Sequence, residues 1–443
     1  MRFLILLLSL LFIACGEVGD SGAQLPDEEQ ELRYNYQLLK AYFFHPERIK
    51  EYSAYRGMKV DDMYEDLKDY FCGAGYTGNC WARYTFYTVP EEADKKIDQI
   101  ENTPKYYSFG FERTVIQKEG SPDTLRVSAV YPISPASAAG LKKGDKLLLA
   151  NDVPLTGENA VIYLNTDSLF ETLTRFTVLR DEQSMALQNM QKAEVQRPTV
   201  FLDSLEEIPF IRVTEYKVST NNPNGTYAEF KDVLQKIKGT RTAIMDLRGN
   251  PGGNIGHCTA MAAELVPLNS ELVYDVEHYY DKQRGNVIDS IHYFARDYLG
   301  SKGAGTDINW IILMNRGSAS CSERFTAAVK YNRPETIIIG GTSYGKGVGQ
   351  IYTKTYLGGL AYITFLQSFY PNGETFHNIG IAPTVPIESG DDAIYYAAVN
   401  AAQNFGLAKR LPTSIQLKKL PPEHKAESTE PSMYKKGLFH QWE

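Results

Sequence analysis

Thr242-Ala-Ile-Met-Asp-Leu-Arg-Gly-Asn-Pro-Gly-Gly253 opens as an apolar run and ends in a loop carrying three glycines and a proline. The residues that follow, IGHCTAMAAELV from Ile255, are helical in pattern. A strand buried on both faces that breaks through glycine into a helix is the repeating unit of an open α/β sheet. The same unit recurs outward in both directions. Upstream lie a strand, IPFIRVTEY from Ile208, and a helix, TYAEFKDVLQKI from Thr226. Downstream come NWIILMN from Asn309, the helix CSERFTAAVKY from Cys321, the strand TIIIGG from Thr336 and a closing helix, DDAIYYAAVNAAQNF from Asp391. This alternation predicts an α/β core with a substantially parallel sheet over residues 191–408.

Before it, residues 105–190 change character. Short β-branched runs such as TLRVSAVYP and DKLLLANDV are punctuated by SPASAAGLKKGD, which predicts a small β-rich domain. Ser134–Leu141 reads as a short helix and Gly144-Asp145 as a turn. Residues 29–104 carry apolar positions at helical spacing, including Leu32, Tyr36, Leu39, Tyr42 and Phe43 and then Met63, Leu67 and Phe71, and predict a helical N-terminal cap. Residues 16–28 are small and acidic, as a tether is, and residues 409–443 turn to Lys, Pro, Glu and Ser without periodicity, as a surface tail does.

The first fourteen residues, MRFLILLLSLLFIA, pair one basic residue with an apolar run too short to span a bilayer, which is the anatomy of an export signal. The segment resembles a bacterial lipoprotein signal, and cleavage before Cys15 would expose that cysteine for lipidation. The expected location is therefore the cell envelope, lipid-anchored and facing the periplasm. The formal charge of −8 and the absence of a Lys/Arg block argue against a nucleic-acid partner. Of the four other cysteines, Cys72 and Cys80 flank a Gly-rich turn and form the expected disulfide. No CxxC or HExxH occurs and the seven histidines are scattered, so neither a metal nor another cofactor is expected. An oligomer or adaptor is not readable.

Three loops, each after an apolar strand, converge on one chemistry, because open sheets place ligands at such strand ends. Asp246–Gly253 can present backbone N–H groups to a developing oxyanion, since glycine permits close approach. Asn315-Arg-Gly-Ser-Ala-Ser-Cys-Ser-Glu323 runs into a helix. Ser318 suits a helix cap, whereas Ser320 sits at the helix entrance, where N–H groups and the dipole favour negative charge. Gly345-Lys-Gly-Val-Gly-Gln350 sets a single cation among glycines. At an unperturbed pKa of about 10.4 only roughly one lysine in a few thousand is neutral at pH 7, so Lys346 acts as a base only if burial depresses it. Gln350, four residues on, can orient its amine. Cys321 as nucleophile and His257 as base are the weaker rivals, and Asp246 and Arg248 read as braces of the glycine loop.

DLRGNPGG, GSASCSE and YGKGVGQ, in that order, resemble the C-terminal processing, or tail-specific, protease family, and the similarity runs from Tyr106 to Phe405. It implies a crotonase-like ββα protease core. It also implies Ser320 as nucleophile, Lys346 as general base, Gln350 as its support, and an oxyanion hole from the backbone N–H groups of Gly252 or Gly253 and of Cys321. Cys321 departs from the alanine common at that position but keeps the backbone donor. The β-rich stretch resembles a PDZ domain, in which Ser108, Phe109, Gly110 and Phe111 would receive a peptide's C-terminal carboxylate and the next strand would accept an added strand. The expected partners are protein or peptide substrates. The competing reading is an inactive, peptide-binding lipoprotein scaffold.

Overall fold

The computed structural model describes residues 25–73, 80–118, 121–156, 173–387 and 390–405. The expected signal, the Cys15 lipidation site, the first part of the tether and the tail from residue 409 lie outside them. Among the described residues no helix is long and apolar enough to cross a membrane.

The α/β core is a six-stranded sheet in the spatial order Val200–Leu205, Ile208–Val213, Thr242–Asp246, Asn309–Met314, Ile337–Gly340, Val385–Pro386. The first pair is antiparallel and the rest are parallel, so the sheet is mixed. Thr242–Asp246 is buried along its whole length, as an unbroken apolar run in a central strand must be. Its alternate side chains enter two cores. Ala243 and Met245 join Trp310, Ile312 and Ile338 beneath the helices Gly225–Lys236, Ile255–Ala263 and Cys321–Asn332. Ile244 joins Ile311, Leu313, Ile337 and Ile339 beneath the closing helix Asp391–Gln403. The Trp310 indole N–H donates to the Gly305 carbonyl, so the largest buried side chain of this core leaves no polar atom unpaired.

A second sheet departs from the simple α/β alternation. Phe86–Thr88, Glu271–Asp281, Gly285–Phe294, Val348–Lys354 and Leu360–Phe369 form an antiparallel, five-stranded layer. One buried ion pair ties it to the core. From the helix Cys321–Asn332, Arg324 donates through Nη1 to Asp275 Oδ1 and to Ser368 Oγ, and through Nε to Thr259 Oγ1. Ala361 and Ile363 of this layer pack into the N-terminal cap, whose helices are Asp27–Tyr42, Val60–Cys72 and Pro90–Glu101. The first helix begins two residues inside the stretch read as a tether, because Pro26 and the acidic residues Asp27, Glu28 and Glu29 make a good helix start. Cys72 and Cys80 are disulfide-bonded, which links the second helix to the short turn Trp81–Tyr84.

The β-rich insert is a sheet in the order Phe111–Lys118, Ser121–Val130, Lys146–Ala150, Phe176–Arg180, Gln183–Ala186, with Phe111–Lys118 at its edge. The helix expected over Ser134–Leu141 is shorter, Pro135–Ala138, with the Ser134 hydroxyl accepting from the Ser137 N–H. A two-stranded stem, Lys105–Ser108 with Ala193–Gln196, carries the chain into and out of the insert. The Asn221 side chain docks it on the core, accepting from the Ile133 N–H and donating to the Ile133 carbonyl.

Removing one member of a buried ion pair strands the other. Asp275→Ala is therefore expected to destabilise the protein by about 3–5 kcal/mol in denaturant titration. Asp275→Leu combined with Arg324→Met should recover most of that loss.

Candidate active site

The glycine loop after Thr242–Asp246 and the serine loop after Asn309–Met314 are fastened to each other strand end to strand end. The Asn315 side-chain carbonyl accepts from the N–H groups of Gly249 and Gly317. The Ala319 N–H and the Ser322 hydroxyl both donate to the Asn250 carbonyl, and the Ser318 hydroxyl donates to the Leu247 carbonyl. A Cβ on Gly317 would lie 2.9 Å from Gly249 Cα, so this contact admits only glycine without a shift of backbone. Arg248 grips Asp246 through two bonds and reaches Asp391 and Tyr395 of the closing helix, which makes both residues braces.

These contacts separate the three serines. Ser318 and Ser322 are fully buried with committed hydroxyls, whereas Ser320 is partly exposed and its hydroxyl makes no hydrogen bond among the described residues. Ser320 also has φ of 54°, a left-handed conformation that a non-glycine residue adopts only when its surroundings impose it. The helix Cys321–Asn332 begins immediately after it.

Glu323, in the first turn of that helix, joins the serine loop to the lysine loop. Its carboxylate is fully buried. Oε2 accepts from the N–H groups of Ser320 at 2.9 Å and Lys346 at 2.7 Å, and Oε1 accepts from the Gly345 N–H at 2.6 Å and the Ser343 hydroxyl at 2.5 Å. Two backbone nitrogens that share one oxygen must lie side by side. The sequence distance between the two loops is thus closed by one side chain. Burial pushes the Glu323 carboxyl above its ordinary range, against the pull of its four donors.

Lys346 Nζ donates to Gln350 Oε1 at 3.0 Å, and Gln350 in turn reaches Thr364. The amine also lies 4.6 Å from the centre of the Tyr84 ring. Tyr84 comes from the turn that the Cys72–Cys80 bridge fixes, is itself buried, and hydrogen-bonds Tyr344. Removal of the amine from water brings the Lys346 pKa down to about 8, although the Glu323 charge pulls it upward.

The N–H groups of Gly253 and Cys321 make no hydrogen bond among the described residues. Gly252 differs from expectation. Its N–H donates to the Asn250 side-chain carbonyl at 2.9 Å, which leaves Gly253 as the open donor of the pair. Gly252 serves instead by close approach, since a Cβ there would lie 2.8 Å from Ser320 Cβ and 2.9 Å from the Cys321 nitrogen. Cys321 is disulfide-bonded to Cys258, so its sulfur is no free nucleophile. The imidazole of His257 accepts from the Tyr227 N–H and burial lowers its pKa. It is a packing residue.

In the insert, Phe109 is buried in the core and offers only its backbone. The Gly110 N–H donates to Ser108 Oγ, so that amide is committed within the loop rather than presented outward. Phe111 begins the edge strand.

Residues 207–387 match the model of peptidase family S41. A probable CtpA-like serine protease of Staphylococcus haemolyticus (strain JCSC1435) is 23% identical over 403 residues, covering 88% of this chain and 73% of that protein. Its namesake in Staphylococcus aureus (strain bovine RF122 / ET3-1) is 26% identical over 354 residues, 78% of this chain and 62% of that one. The chain thus spans less than two thirds of the Staphylococcus aureus relative. Among solved structures, a photosystem II D1 C-terminal processing protease aligns with a TM-score of 0.45 at 17% identity, covering 82% of this chain and 94% of that one. A putative S41 protease from Bacteroides fragilis NCTC 9343 aligns with a TM-score of 0.48 at 12% identity, covering 88% and 97%.

Two outcomes follow from this geometry. Glu323→Gln keeps the shape but turns an amide N–H₂ toward two of the four donors, and should cost about 2–4 kcal/mol in chemical denaturation. Lys346→Met relieves the burial of an amine that is charged below its folded pKa. The variant should exceed wild type in Tm at pH 7, and that excess should shrink as pH rises from about 8 to 10.5, where the unfolded chain binds the proton and the folded one does not.

Proposed function

We propose that this chain, whose residues 207–387 match the model of peptidase family S41, is a serine endopeptidase in which Ser320 is the nucleophile and Lys346 the general base. The observation that carries the assignment is the shared Glu323 oxygen, which holds the backbones of Ser320 and Lys346 together. Neutral Lys346 takes the Ser320 hydroxyl proton as Oγ attacks the peptide carbonyl carbon. The resulting oxyanion accepts from the N–H groups of Gly253 and Cys321, at the positive end of the helix Cys321–Asn332. The Lys346 ammonium returns its proton to the leaving amine, and water, activated by the same lysine, frees the acyl group. Gln350 fixes the amine while accepting one of its hydrogens, which turns the nitrogen lone pair elsewhere.

The proposal extends to recognition and place. Among the described residues the edge strand Phe111–Lys118 pairs on one side only, the other being the side on which a peptide would add as a strand, and the insert resembles a PDZ domain in order and turn placement. C-terminal or unfolded segments of exported proteins are the substrates such an edge suits. An envelope location, with lipid on Cys15, rests on residues 1–15 and is supported by two disulfides in the folded chain, which fit an oxidising compartment.

Purified protein should cleave an unfolded protein substrate, and Ser320→Ala and Lys346→Ala should each lower kcat at least about 10³-fold. The kcat/KM profile should rise with pH through an apparent pKa of about 8, the value at which burial leaves Lys346. Tyr84→Ala, which readmits water to the amine, should move that limb to higher pH. Equal cleavage by wild type and both alanine variants would sink the assignment. Loss of radiolabelled fatty-acid incorporation in Cys15→Ser tests the anchor.

A further inference from the structure

Cys258 lies in the helix that leaves the glycine loop, and Cys321 is the first residue of the helix that leaves the serine loop. The two are bonded to each other, and their exposures are 0% and 1%. The bridge therefore joins two helices at the ends that carry the two open N–H groups. The hydrogen bonds between the loops do not do this. They hold Leu247, Gly249 and Asn250 against Asn315–Ser322, and none of them engages Gly252, Gly253 or the Cys321 N–H. Gly252 and Gly253 have φ of 105° and 137°, a region where backbone without a Cβ is freest to move. Gly253 is fastened on its far side, through its neighbours, to Tyr216. The covalent tie from Cys258 couples that side directly to the first residue of the serine helix, beside the Arg324 Nε–Thr259 Oγ1 hydrogen bond that joins the same two helices further along.

We infer that the Cys258–Cys321 disulfide is a positioning element of the active site: it sets the separation of the Gly253 and Cys321 N–H groups, and full turnover requires it to be closed. The inference rests on the Ser320 reading above. Closure is a two-electron oxidation in which two thiols lose two protons and form S–S while a disulfide-exchange oxidant is reduced to its dithiol. A chain still in a reducing compartment is thereby held at low activity, and it becomes competent where disulfides persist.

The test compares oxidised full-length protein with Cys258→Ala/Cys321→Ala on a fluorogenic peptide. A misplaced oxyanion donor acts on the transition state alone, and loss of a whole donor costs about 10²–10³ in kcat. The double variant, folded by circular dichroism, should lose about tenfold in kcat with KM changed less than about twofold. Its acid limb should stay near pH 8, because Lys346 is untouched. A merely stabilising bridge would lower Tm and leave kcat of the folded protein alone. Should the double variant not fold, a Cys72→Ala/Cys80→Ala protein is treated with a phosphine, which opens the one bridge to two thiols as it becomes the phosphine oxide. Its kcat should fall, and it should recover on reoxidation. Unchanged kcat in either arm, or a loss that lies in KM, overturns the inference. Oxidised wild type that neither cleaves nor reacts with a fluorophosphonate overturns the Ser320 reading, and the inference falls with it.

Discussion

The site depends on one buried carboxylate. Glu323 gathers four donors from two loops that the sheet places after different strands, and it does so from the first turn of the helix that Ser320 introduces. A carboxylate so placed would be costly without partners, since burying an unpaired charge is among the largest penalties a fold meets. Here each oxygen accepts twice, and the donors are three backbone N–H groups and one hydroxyl whose directions are set by the loops. The constraint runs both ways. The loops give the charge its partners, and the charge holds the loops at one separation. The left-handed φ of Ser320 is intelligible in this frame, because the bond from its N–H to Glu323 favours the backbone conformation that an isolated serine would avoid.

A second layer of support comes from parts of the chain far from the loops. Tyr84 reaches Lys346 from the N-terminal cap, and Thr364 supports Gln350 from the antiparallel sheet. Thr85, next to Tyr84, exchanges bonds with Thr364, so the cap and the sheet are locked together beside the amine. The closing helix holds Arg248 on the opposite face of the core. Each loop is thus short and glycine-rich, while the rigidity that chemistry needs is supplied by packed elements behind it.

Much of this was legible in the residues, and the part that was not has physical reasons. Unbroken apolar runs such as Trp310–Met314 announce strands buried on both faces, and the glycines after them announce close approach. The five-stranded antiparallel layer was harder to see. Glu271–Asp281 and Gly285–Phe294 mix charged and aromatic residues with only partial alternation, because one strand is half covered and the other lies at an edge. Glu323 stood inside a quoted motif without a role, since sequence spacing carries no sign that a helix-turn glutamate will be buried. Gly252 and Gly253 could not be told apart as donors, as the difference lies in the side chain of Asn250 two residues earlier. Tyr84 and the Cys258–Cys321 bond join residues far apart in the chain, which no local pattern records.

The pKa of Lys346 shows how these supports compete. Burial alone would carry the amine further down, and Glu323, whose oxygen already holds the lysine's own backbone, pulls it back toward about 8. At that value about one lysine in ten is neutral at pH 7, roughly two hundred times the fraction for a free lysine. A lower pKa would give more neutral amine but a weaker base, and Brønsted behaviour makes a value near the working pH the better compromise. In the proposed mechanism the carboxylate that fixes the geometry therefore also sets the strength of the base. A neutral acceptor at position 323 would have to replace four hydrogen bonds and would leave the lysine a poorer proton acceptor, so geometry and basicity are bound to the same side chain.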